Sequence, residues 1–187
     1  MAGNTSAISL ASNALVLLGH PPISDFNEPG AGAQAASNLY DSCYENLLSM
    51  NRWRFASKKV ELSKLSAAPD NEFTYQYQLP SDFIYLIKTQ VEQDFEIYGD
   101  KLYSNHPSVS IDYTYKVDEA MLPPYFVKTF QYLFASELAI PVVGNSTREQ
   151  EYSAKFQRQY QMAVYLDASQ RPVDISRTSS YIGVRNG

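Results

Sequence analysis

Apolar residues recur at intervals of three or four over the first fifty positions, then at every second position from about residue 58. The run "AISLASNALVLLG" places Ile8, Ala11, Leu15 and Leu18 on one stripe, widened by Leu10, Ala14 and Leu17. It predicts a deeply buried helix with Asn4, Thr5 or Ser6 as N-cap, stopped by Gly19 and Pro21–Pro22. A second helix is predicted over "GAGAQAASNLYDSCYENLLSM". Its stripe is Ala36, Leu39, Cys43, Leu47 and Met50, and Asp41, Glu45 and Asn46 lie outside.

The change of period falls on "NRWRFASKKVEL", which holds the single tryptophan. Beyond it Val60, Leu62 and Leu65 alternate with charge, as in a half-buried strand. "FTYQYQLPSDFIYLIKTQ" reads as two extended runs broken by Pro80, which cannot donate to a central ladder. "DFEIYGDKLYSN" predicts a hairpin tipped by Gly99–Asp100. In "SVSIDYTYKV", Val109, Ile111, Tyr113, Tyr115 and Val117 alternate with Ser110, Asp112, Thr114 and Lys116, which predicts one buried and one wet face.

Helical period then returns. Pro123–Pro124 suits a first turn, Val127, Phe130, Phe134 and Leu138 form the stripe, and Pro141 and Gly144 end it. A fourth helix, capped by Ser146 or Thr147 with Glu149 in a capping box, turns Tyr152, Phe156, Ala163 and Leu166 inward. "PVDISRTSSYIGVRNG" has no period, yet carries apolar and basic residues, and reads as a frayed end or an arm that orders on a partner. The predicted fold class is α+β: a four-helix bundle with an inserted small antiparallel β-domain and an extended C-terminal arm. The divisions are a helical pair at 1–52, the β region at 53–117, a second helical pair at 118–171 and the arm at 172–187.

Composition changes this picture in two ways. Tyrosine is abundant at 15 of 187 residues, and its apolar ring with a polar tip suits surfaces that meet partners, although half-buried strand positions account for about half of them. The formal net charge of −5 argues against tight binding to phosphates and so against a sequence-specific DNA binder. The start lacks the basic segment of a signal peptide, and its apolar run is too short to span a bilayer, so a soluble protein with no membrane role is expected.

Candidate chemistry is sparse. His20 and His106 each sit beside a proline in a predicted turn without a spaced second ligand, so no metal or other cofactor is expected. Cys43 lies on an apolar helix face and reads as a buried thiol. The carboxylate pairs are Asp94 with Glu96, Asp41 with Glu45, and Asp118 with Glu119. A glycan- or peptidoglycan-cleaving enzyme would need such a pair flanking a sugar, whereas neighbours on exposed faces read as solvated charge. The glycines of "EPGAGAQ" lack the lysine and preceding strand of a phosphate loop. Arg52, Arg54, Lys58 and Lys59 surround Trp53 and Phe55, a mixture able to stack single-stranded nucleic acid. At a switch of period, however, Trp53, Phe55 and Pro80 read as a structural joint between helices and sheet.

In order along the chain, "NALVLLGHPPI", "AASNLYDSCYENLLSMNRWRFA", "LSKL" and "YQYQLPSDF" resemble the tail tubular protein A family, the head-to-tail adaptors of short-tailed bacteriophages. The matching positions are Leu18–Gly19, Pro22–Ile23, Tyr40, Leu47–Leu48, Trp53, Phe55–Ala56, Tyr77, Leu79–Pro80 and Asp82, within the first 85 or so residues. The resemblance implies a non-enzymatic virion protein, assembled in the host cytoplasm as a ring of about twelve copies. The ring would join the portal protein to the tail nozzle protein and let packaged DNA pass without sequence-specific binding. Twelve copies of −5 would give it roughly −60 in formal charge, which repels phosphate and suits a duct. The resemblance also implies a portal-docking arm, here Arg177, Tyr181, Ile182, Val184 and Arg185, and a nozzle-facing β-part. The protruding hairpin Tyr98, Gly99, Asp100 and Lys101 is the expected contact there.

Overall fold

The computed structural model describes residues 5–91 and 94–170. The expected arm at 172–187 therefore lies outside the described residues. Within them the chain is mixed α+β, with four α-helices and two antiparallel sheets.

Helix α1 (Ala7–Leu17) starts at Ser6, whose side chain accepts from the Ser9 N–H while the Ser9 side chain accepts from the Ser6 N–H. Helix α2 (Ala31–Ser49) follows a turn in which the His20 ring lies so close to Gly32 that a Cβ there would come within 2.5 Å of it. Helix α3 (Pro124–Leu138) touches each of the other three helices. It runs on into one π-helical turn, Ala139–Val143, because Pro141 has no N–H for the α-ladder. Gly144 closes the turn at φ 64°, a left-handed conformation that favours glycine.

Helix α4 (Ser146–Ser169) is capped by Asn145, whose side chain accepts from the Arg148 N–H. That is one residue before the expected cap, so the Ser146–Glu149 capping box does not form. The left-handed Gly144 leaves Asn145 in the extended conformation that a cap requires.

Strands β1 (Ser57–Glu61), β7 (Ser110–Tyr115) and β4 (Phe83–Thr89) form one sheet in the order β1–β7–β4. The second sheet runs β2–β3–β6–β5, from Ser63–Lys64, Tyr75–Gln78, Lys101–Ser104 and Phe95–Tyr98. The chain passes from the first sheet to the second at Leu62, whose N–H donates to the Val109 carbonyl at 2.8 Å. The β5–β6 hairpin pairs Tyr98 with Lys101 across Gly99 (φ 61°) and Asp100.

Two buried clusters follow from this layout. Leu62, Tyr77, Leu102, Ile111 and Tyr113 fill the space between the sheets. The larger cluster joins the helices and is rich in aromatic rings: Tyr40, Tyr44, Phe126, Phe130 and Phe134 meet mostly edge to face at centroid distances of 5.3–6.2 Å. The buried stripe of α2 is thus Ala33, Ala36, Tyr40, Cys43, Tyr44, Leu47 and Leu48. Leu39 is only half-buried and Met50 is 42% exposed, because α2 turns its tyrosines toward α3. Leu166 likewise lies outward, at 38% exposure.

The expected wet face of β7 is not wholly wet. Helix α2 lies against β4 and β7, and Thr114 is 1% exposed with its hydroxyl bonded to nothing among the described residues. A buried hydroxyl without a partner costs free energy, and valine has the same shape without the polar atom. Thr114→Val is expected to raise stability by about 1 kcal/mol, read as a higher midpoint in urea with an unchanged slope.

Candidate functional site

The segment between α2 and β1 is where the helices meet the first sheet. Trp53 is fully buried there; its indole N–H donates to the Leu47 carbonyl at 2.9 Å, at the end of α2. Its ring meets Phe126 of α3 at 5.1 Å, Tyr160 of α4 at 5.9 Å and Phe55 at 6.0 Å. A side chain so enclosed offers no free face to a nucleobase. Phe55 is half-buried and itself meets Phe126 edge to face at 4.9 Å. Pro80 follows β3, and the Phe83 N–H returns to its carbonyl at 3.1 Å as the chain turns into β4.

The basic residues near Trp53 separate. The Lys58 ammonium reaches Asp82 at 2.8 Å and lies 3.7 Å from the centre of the Tyr115 ring. Arg52 and Lys88 approach Asp112 at 4.0 and 3.5 Å, whereas Arg54 forms no ion pair among the described residues. Arg52, Arg54 and Lys88, with Val164 and Ala168 of α4, line an open groove of about 550 Å³.

Asp167 forms part of the same groove wall yet is only 2% exposed, and nothing in the sequence reading singled it out. One carboxylate oxygen accepts from the Arg54 backbone N–H at 2.9 Å, the other from the Tyr125 hydroxyl at 2.8 Å. Burial and this hydrogen bond to a carboxylate hold the Tyr125 phenol above its ordinary pKa. Asp167 therefore pins the last turn of α4 to the joint and to α3. The signal in the sequence was its position: four residues after Ala163, it places a charged residue on the inward stripe of an amphipathic helix.

The carboxylate pairs all have structural partners. Asp41 and Glu45 share the Lys116 ammonium at 2.9 and 3.0 Å. Asp118 caps the short 3₁₀ turn Glu119–Met121, and Glu119 accepts from the Tyr40 hydroxyl at 3.2 Å. Asp94 sits 3.5 Å from the His106 ring, while exposed Glu96 accepts from the Tyr98 hydroxyl. His20 is held by its neighbour's carbonyl, 2.9 Å from Nδ1. Burial, with the Glu137 carboxylate nearby, pushes the Cys43 thiol up to about 12, so it stays protonated at neutral pH.

At the hairpin tip Tyr98 is 55% exposed and meets Tyr103 edge to face at 5.7 Å. The Gln78 amide donates to the Asp100 carboxylate at 3.0 Å and holds it below the usual carboxylate range. Among the described residues, no three His, Cys, Asp or Glu side chains are grouped to hold a metal ion. Nor is any helix among them long and apolar enough to cross a membrane. No protein-family model matches this chain, and no curated protein matches its sequence.

Removing the Asp167 carboxylate leaves a part-buried main-chain N–H and a phenol without their acceptor. Asp167→Ala is expected to cost about 3 kcal/mol and Tyr125→Phe about 1 kcal/mol in urea unfolding. The double variant should cost less than the sum of the two, because each single change already breaks the shared bond.

Proposed function

We propose that this chain is a structural virion protein: a head-to-tail adaptor whose ring joins the portal to the tail nozzle and forms part of the DNA channel. In this reading the helices make a four-helix bundle, the sheets are inserted between its two helical pairs, and residues 172–187 are the arm that docks on the portal.

The observation that carries it is the ordered set of residues shared with the tail tubular protein A family. Most of them are buried: Leu18, Ile23, Tyr40, Leu47, Leu48, Trp53, Ala56, Tyr77 and Leu79 are all at most 7% exposed. The likeness therefore concerns the framework, and adaptor function follows from it by analogy of fold. Two further features support the reading. The carboxylate pairs have structural partners instead of sharing a cleft, and the excess of negative charge suits a wall past which DNA must slide.

Electron micrographs of the full chain mixed with portal rings test the proposal. A second ring seated beneath each portal is expected, and a chain that stays monomeric and never binds portal would refute it. Deleting residues 172–187 is expected to leave the thermal transition in place and abolish portal attachment. Reversing the charges of Asp100 and Lys101 should instead block nozzle addition and spare portal binding. The exposure of the hairpin tip motivates this second variant, and normal nozzle addition would remove the hairpin from the contact.

A further inference from the structure

Two concavities lie along one flank of α4, at its opposite ends. Near the C-terminal end is the groove of about 550 Å³ with Val164 and Ala168 in its wall. Near the N-terminal end, a groove of about 320 Å³ is lined by Ser153 and Gln157, with Leu133 and Ile140 opposite and Glu137 and Glu149 beside them. At 3.6 residues per turn, Glu149, Ser153, Gln157, Val164 and Ala168 fall within about 100° of one another around the helix. From Glu149 to Ala168 the flank runs about 28 Å at 1.5 Å per residue.

The two ends differ in sign. At the C-terminal end the Arg52 and Lys88 side chains are 60% and 65% exposed, while Asp112 is only 16% exposed and Asp167 is buried. An approaching molecule meets cations there, Arg54 among them without an ion pair. At the N-terminal end neither Glu137 nor Glu149 forms an ion pair among the described residues, and Ile140 leaves 54% of its surface exposed.

We propose that this flank is a contact between copies of the chain, the acidic end of one copy meeting the basic end of the next. The inference rests on the ring reading and assigns its subunit contact. The helix holds the two poles far apart, well beyond a Debye length of about 8 Å, so one copy cannot neutralise its own poles. An acidic peptide or a nucleic acid would match only the basic end and be repelled by the other. Neighbouring copies supply both complements: the basic end of one neighbour matches the acidic end, and the acidic end of the other neighbour matches the basic end, a head-to-tail contact that a ring can close. The exposed Ile140 adds apolar area to the acidic side of the contact.

Sedimentation velocity of the full chain over a concentration series tests this with Glu137→Arg and Arg54→Glu. Glu137 is exposed in the last turn of α3, where a cation suits the helix dipole, so its reversal is expected to leave the fold intact. Each variant alone should need at least about tenfold more protein to associate than wild type, since like charges then face each other. Mixed in equal amounts, the two should associate like wild type, because every contact in an alternating chain regains opposite charges. High salt should weaken association of the wild type and of the mixture alike.

Circular dichroism checks the fold of each variant. If Arg54→Glu unfolds the chain, Arg54→Gln with Glu137→Gln replaces the pair; each is expected to weaken association, and mixing should restore pairs only, since every second contact regains both charges. Variants that associate as well as wild type, or a folded charge-reversed mixture that stays dispersed, would overturn this contact while rings on the portal persist. A wild-type chain that never associates, with portal rings absent or present, would overturn the contact and the ring reading together. A short DNA duplex bound by wild type and by Glu137→Arg, but not by Arg54→Glu, would give the basic end to phosphate and also overturn the contact.

Discussion

A polar group taken out of water must find a partner, and the helical half of this protein meets that demand largely with tyrosine. The Tyr44 hydroxyl donates to the Val117 carbonyl at 2.8 Å inside the core, where the chain leaves the first sheet for α3. Tyr152 of α4 donates to the Leu17 carbonyl at the end of α1, and Tyr160 to the Met50 carbonyl at the end of α2. Tyr115 of β7 reaches the Phe55 carbonyl at 3.3 Å. Each bond joins segments far apart in sequence, and each uses a carbonyl that the helix or strand cannot satisfy itself. The rings supply the apolar area and the hydroxyls set which helix end meets which neighbour. Trp53 satisfies a helix-end carbonyl in the same way but locally, its indole N–H donating to Leu47 at the end of α2.

That division of labour revises the meaning of the tyrosine content. Read as composition, the fifteen tyrosines divide about equally between partner surfaces and half-buried strand positions. Many instead serve as internal tethers, and the exposed ones among the described residues, Tyr85, Tyr98 and Tyr165, stand apart on β4, on the hairpin and on α4. Asp167 extends the scheme by taking a phenol and a main-chain N–H at once, so the last turn of α4 is fixed to the joint through a carboxylate. A charged group in that position is stable only because both of its oxygens are bonded.

The order of elements was legible because period is a local property: three- and four-residue spacing before residue 50, alternation through the middle, helical spacing again after residue 123. What period does not carry is the identity of the neighbour. Leu39 and Tyr40 differ by 100° around α2, and only the phenylalanines of α3, some ninety positions later, decide that the tyrosine faces in. Thr114 sits on the polar side of a clean alternation, yet α2 covers that side of the sheet. The exchange of Leu166 for Asp167 has a similar origin, since hydrophobicity alone assigns the leucine to the core. Asn145 takes the cap because Gly144 turns left-handed, a backbone event that the candidate caps Ser146 and Thr147 do not announce.

Function was less legible than fold for a related reason. The residues that carry the family resemblance are mostly buried ones, constrained by packing, and packing is indifferent to what the surface does. The residues proposed to act, at the hairpin tip and along the α4 flank, are exposed and have weak requirements of their own. Their arrangement becomes visible only when the helix places Glu149 and Ala168 on one side at opposite ends. Net charge illustrates the gap. A total of −5 describes a uniformly acidic body, whereas the cations at the joint are left facing outward because Asp112 and Asp167 lie beneath them. Under the proposed adaptor reading, a protein that joins others while a polyanion slides past it would need both properties, negative charge overall and positive charge confined to where subunits meet.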